Sequence, residues 1–119
     1  MKKKHMLVIT HSTDDPARAN GAMALLASLV CMEADVAVFL NFGGVLLAKS
    51  GVAETIEAEN FTPVRELLPI VLEAAVPIYV CSASAGAYGV EEKDLIPGAI
   101  LTNLPTLAFE MEERDTSTF

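Results

Sequence analysis

Cysteine is scarce in this sequence: its 119 residues hold two, Cys31 and Cys81, fifty positions apart. Two thiols so separated make neither a disulfide framework nor a CxxC redox pair. Histidine is as sparse, with His5 and His11 only, and nothing in their spacing to the cysteines composes a zinc site, so no metal is expected. Positive charge is in short supply too. Eight Lys and Arg stand against sixteen Asp and Glu, a formal net charge of -8. Nucleic acid and anionic membrane both call for a basic surface, which argues against either as a partner. The run AMALLASLVCM falls short of the roughly 20 apolar residues that cross a bilayer. Lys2, Lys3 and Lys4 imitate the start of a secretory signal, but MLVIT behind them is too short for its apolar segment. A cytoplasmic protein with reduced thiols is expected.

Two motifs of common enzymes are also missing. No G-x-S-x-G elbow exists for a serine hydrolase, and no glycine-rich dinucleotide fingerprint. Gly43 to Ser50, GGVLLAKS, nearly spells a phosphate loop, yet Ala48 takes the place of its second glycine. The branched apolar residues between belong in a core and would not wrap a polyphosphate. No cofactor is expected.

What is present is apolar: 52% of the residues, in a chain of single-domain length. His5 to Thr10 reads as a buried strand. Asp15 and Pro16 then supply a cap and a first helical residue for a helix running to about Glu33. That helix is greasy nearly all round, with Ala19, Ala22, Met23, Leu26 and Val30 on one stripe and Leu25, Leu29 and Met32 off it, which predicts subunit contact. Asp35 to Leu40 is a second strand, closed by NFGG, and Val45 to Lys49 a short helix. Thr62-Pro63 opens a helix whose Val64, Leu67, Leu68, Val71, Leu72 and Ala75 recur at three and four, with Pro69 opposite. Strands follow at Pro77 to Cys81, Ala99 to Thr102 and Thr116 to Phe119, with a helix around Leu104 to Met111 before the last. The tail EMEERD reads as a solvated helix face. Nearly continuous apolar strands alternating with helices mean an α/β fold with a parallel sheet covered on both faces.

Ligands meet such sheets at the carboxyl ends of the strands. Three loops qualify: HSTDDP, NFGG and CSASAGAYG. If consecutive strands are neighbours, the first and third lie roughly 10 Å apart and their loops share one cleft. Cys81 is the strong nucleophile among them. Ser82 to Tyr88 can form a short helix ended by a left-handed Gly89, so that Cys81 would face free amides and the positive end of a helix dipole, a setting that favours thiolate. The competing reading is a plain buried cysteine at the end of an apolar strand. His11 could shuttle a proton or only cap its loop. Ser12, Thr13, Asp14 and Asp15 suit turn and cap chemistry. Asn41, Gly43 and Gly44 are turn residues whose backbone could cradle a ligand, with Ser82, Ser84 and Tyr88 completing the pocket. Cys31 is expected in the core, and His5 as structural or exposed.

The order of these pieces, with VAVFLNFGGVLL, VPIYVCSASAGAYGV, EEKDLIPG and a terminal strand ending in phenylalanine, resembles the DsrE/DsrF-like family, which includes sulfur-relay proteins of the TusD type. The resemblance implies a three-layer α/β/α fold with five parallel strands in the order 4-3-2-1-5 and a homo-oligomer, a trimer or hexamer. It also implies that Cys81 carries sulfane sulfur as a persulfide and passes it from a donor protein to an acceptor cysteine. Many relay members have a basic residue just before the glycine of the cysteine loop; here that position is Tyr88, so one source of thiolate stabilisation is gone. Two other functions fit the same residues: a non-catalytic oligomeric module binding a small ligand or protein in the cleft, and a thiol redox sensor at Cys81.

Overall fold

The computed structural model describes residues 3–119; Lys2, one of the three lysines near the start, lies outside the described residues. The strands are β1 (Lys4–Ile9), β2 (Asp35–Leu40), β3 (Ile78–Cys81), β4 (Ala99–Thr102) and β5 (Asp115–Thr118). The helices are α1 (Pro16–Cys31), α2 (Val64–Glu73), α3 (Ser82–Ala87) and α4 (Leu104–Glu112). All strand pairs are parallel, and the sheet runs β4-β3-β2-β1-β5. The expected architecture and strand order are therefore those of the protein.

The path of the chain sets the layers. From β1 to β4 each strand is laid beside the last in one direction, so right-handed connections put α1 and α2 on one face. The return from β4 to β5 crosses the sheet the other way and carries α4 over the opposite face. Side chains agree. A small apolar void of about 20 Å³ lies between Met23 and Leu26 of α1, Leu68 and Val71 of α2, and Val38 and Ile78 of the sheet. Tyr79, the next residue on β3, instead donates its hydroxyl to Glu110 of α4 at 3.3 Å. Alternation places Cys81 on the same side as Tyr79.

Local chemistry fixes the element ends. Asp15 accepts from the Arg18 amide to cap α1, with Pro16 at its first position. Pro69 lies inside α2 on its exposed side. Asn20 is completely buried in α1, and its carboxamide donates to Thr62 O at 2.8 Å and accepts from Ala58 N at 2.9 Å. That one side chain ties the loop before α2 to α1.

Several boundaries differ from expectation. Thr10 leaves β1, since its amide and hydroxyl both donate to Phe119 O. Val45 to Lys49 is not a separate helix but part of a 3-10 segment, Phe42–Ala48, that starts directly after β2. Cys31 is exposed and not core, and Leu25 and Met32 are exposed as well. Cys31 ends α1 facing solvent, while Leu29 and Val30 of the same turn still pack against the core.

Candidate functional site

The three loops at the carboxyl ends of β1, β2 and β3 meet. In the first, the Ser12 amide donates to Asp14 Oδ1 at 2.8 Å, and Asp14 Oδ2 lies 2.7 Å from His11 Nδ1. These contacts hold the Asp14 carboxyl below its ordinary value, the Ser12 amide contributing most and the His11 hydrogen bond next. The Ser12 hydroxyl, buried, donates to Gly43 O at 2.7 Å and so joins the first loop to the second.

The second loop is built on close approach. The Asn41 amide donates to Ile9 O, and the Gly44 amide to Asn41 O. A Cβ on Gly44 would collide with the Ile9 carbonyl, so only glycine fits there. At Gly43 the hypothetical Cβ would touch Asp14 Oδ1 at 3.4 Å and the Tyr88 hydroxyl at 3.6 Å, which brings residues of the first and third loops over one bare Cα. Phe42 is held at φ 49° with its ring 60% exposed. Left-handed backbone is unusual for so bulky a residue. Its amide is fixed by two acceptors, Asn41 Oδ1 at 2.9 Å and Ser84 Oγ at 3.0 Å.

In the third loop Ser84 donates to Asn41 Oδ1 at 2.7 Å, and Ser82 to Thr102 O of β4 at 3.3 Å. The six-residue α3 ends in the expected left-handed glycine, Gly89 at φ 71°, with the Val90 amide reaching back to Ala85 O. Cys81 is the residue that caps its start, but the side chain makes no cap hydrogen bond. The thiol turns with Tyr79 toward the α4 face and joins the apolar cluster, leaving the residue 4% exposed. The expected thiol–amide contact is thus not made in the single chain.

His11, Asn41, Gly43, Gly44, Ser84 and Tyr88 are brought together as one hydrogen-bonded and packed rim. Cys81 and Ser82 stand at its far side, toward β4. Reasoning from sequence gave Asp14 a turn role, which its bond from the Ser12 amide fits, but did not pair it with His11 three residues before, and it did not single out Phe42, whose left-handed backbone leaves no mark in sequence. Among the described residues no cluster of His, Cys, Asp and Glu is placed to hold a metal ion, and no helix is long and apolar enough to cross a membrane.

The family model described as "DsrE/DsrF-like family" matches residues 3–117. The chain belongs to the DsrE/DsrF-like family. This membership associates it with sulfur relay in general. Two relatives from Methanocaldococcus jannaschii are themselves uncharacterized. MJ0989 is 31% identical over 117 residues, covering 98% of this chain and 99% of its own. MJ0760 is 27% identical over 100 residues, 84% of this chain, and the chain spans only 36% of that relative's length. Among solved structures, the ychN protein from E. coli superposes with a TM-score of 0.80 at 20% identity, over the whole of both chains. MTH1491 from Methanobacterium thermoautotrophicum, a protein of unknown function, does so with a TM-score of 0.68 at 16% identity, covering 99% of this chain and 100% of its own. At such identities the likeness of these two structures is one of DsrE/DsrF-like fold.

Proposed function

We propose that this protein carries sulfane sulfur as a persulfide on Cys81 and passes it to the cysteine of an acceptor protein. The observation that carries the reading is the place of Cys81. It ends β3 at the start of α3, beside a rim where three strand-end loops are locked together, in a chain of a family associated with sulfur relay. Transfer needs one thiol that can be loaded and unloaded, and neither metal nor cofactor. With 4% exposure, exchange at Cys81 requires movement of the rim, and α3, short, opened by the exposed Ser82 and followed by the exposed Tyr88, is the segment suited to move. Loading with a persulfide donor is expected to add the mass of one sulfur atom at Cys81. Uptake by Cys81→Ser equal to that of the parent would end the proposal.

The same burial favours a second reading, a binding module in which the cleft holds a small ligand or a protein segment and Cys81 only packs. Alkylation separates the two. A relay thiol is expected to be modified in the folded protein once its rim opens, whereas a packing thiol reacts at the rate of global unfolding. Mass spectrometry scores Cys81 apart from the exposed Cys31.

A further inference from the structure

Across the rim from the cysteine the cleft contains a second organised group. His11 and Asp14 are joined at 2.7 Å, and the other oxygen of Asp14 is pinned by the Ser12 amide at 2.8 Å. Ser12 is in turn 1% exposed and anchored to Gly43 O. This is a three-step support running from buried backbone to carboxylate to imidazole, more than a turn needs for itself. A carboxylate only accepts hydrogen bonds, so Nδ1 of His11 must donate. In the neutral ring that leaves Nε2 unprotonated, a proton acceptor. Among the described residues none consumes it: His11 makes no other side-chain hydrogen bond with them, and its side chain is 35% exposed. The charged and titratable neighbours are Asp14 and Asp15 on its own loop, Arg18 of α1, which pairs with Asp15 at 3.4 Å, and the Tyr88 hydroxyl beside Gly43.

We infer that Asp14 is a positioning residue that fixes His11 in the Nδ1–H tautomer, and that His11 Nε2 accepts the proton of the incoming acceptor thiol. The inference rests on the sulfur-carrier reading of Cys81. Geometry allows it without contact between His11 and Cys81. A persulfide bond of about 2 Å, a reactive approach of about 3–3.5 Å and one hydrogen bond of about 3 Å reach about 8–8.5 Å, against the roughly 10 Å that separates β1 from β3, so the movement that frees Cys81 must also carry it toward His11. The step balances without an oxidant or reductant. The acceptor thiol gives its proton to Nε2, its sulfur bonds to the outer sulfur of the Cys81 persulfide, and the S–S bond to Cys81 breaks with its electron pair left on Cys81. His11 then gives its proton to solvent, and the Cys81 thiolate takes one up, so that the proton count closes.

The positioning is read directly by 15N NMR of the imidazoles at about pH 8.5, above the ordinary histidine range, with His5 assigned by a His5→Gln variant. The parent is expected to show His11 protonated at Nδ1, and Asp14→Asn to lose that preference. A parent His11 with no tautomer preference, or one protonated at Nε2, overturns the inference whatever the variants do. The proton transfer is read from the rate at which persulfide-loaded protein passes sulfur to a small thiol. His11→Gln and Asp14→Asn are each expected to slow it about tenfold near neutrality and to converge on the parent rate above the pKa of the thiol, where no proton remains to be taken. Slowing by an equal factor at every pH marks a structural role and sinks the proton-acceptor assignment. If Cys81 takes up no sulfur at all, the carrier reading fails with that assignment, while the tautomer measurement still judges Asp14 by itself.

Discussion

Two adjacent glycines in the second loop answer to different constraints. At Gly44 any side chain strikes the Ile9 carbonyl, whereas at Gly43 a methyl group would meet Asp14, Tyr88 and Thr10 at ordinary contact distances. Gly44→Ala is therefore expected to destabilise the fold by about 3 kcal/mol, since the backbone of β1 would have to move. Gly43→Ala should stay within about 0.5 kcal/mol of the parent. Denaturant midpoints of the two variants measure the difference, and equal midpoints would contradict the close approach of this loop to β1. The sequence marks both positions alike as turn glycines. Which one is irreplaceable depends on a carbonyl over thirty residues away, and no local pattern reports it. Asn20 is a similar case, a polar residue in an apolar helix whose two partners come from the far side of a loop.

At the scale of elements, periodicity made the strands and α2 legible. Val64, Leu67, Leu68 and Val71 are buried as their spacing implies, and Pro69 sits on the solvent side. The segment after β2 was not legible, because an apolar run such as Val45-Leu46-Leu47 buries equally well as α or 3-10 helix, and the choice is made by the close approach of Gly44. Cys31 was misjudged because it lies at the edge of the buried stripe on the last residue of α1, where Leu29 and Val30 pack inward and the thiol faces solvent. Nor did the pattern disclose how the last two elements are fastened. Arg114, nearly buried, bonds Asp35 Oδ1 at 3.0 Å, Glu110 Oε2 at 3.3 Å and His5 O at 3.2 Å, so that it links α4 to the starts of β1 and β2. Arg114→Leu is expected to cost about 2 kcal/mol, much of it from the Glu110 carboxylate, which keeps only the Tyr79 hydroxyl, and from the His5 carbonyl losing the guanidinium. Beside it, burial first and the Glu110 charge second raise the Tyr79 phenol above its ordinary 10.0. The folded protein therefore holds that proton more tightly than the unfolded chain does. The resulting stability is fully present below about pH 10 and is lost as the pH rises through the higher folded value. Tyr79→Phe should remove this part of the alkaline decline, which thermal unfolding between pH 9 and 11 will measure.

For the whole molecule, the two faces of the sheet are unequal. One carries α1 and α2; the other carries α4, whose Leu107 is its one buried residue and whose Leu104, Phe109 and Met111 are exposed, as is Ile100 of β4. Subunit contact, first suggested by α1, is better supported on this side, where Phe109 is 70% exposed. We propose that copies of the chain associate there. Light scattering is expected to give a mass above that of one chain for the parent and a smaller mass for Phe109→Glu, and an unchanged mass in the variant would move the contact elsewhere.

The passage of α4 from one rim of the sheet to the other has a further consequence. β5 is bonded to the sheet only along β1, and everything between β4 and β5 crosses a face that α4 covers thinly. The chain from Asn103 onward is thus a strap that can lift as a unit while β1 to β4 stay paired. Deuterium should enter the amides of α4 and β5 well before those of β2 and β3, and breaking the Arg114 buckle should widen that interval.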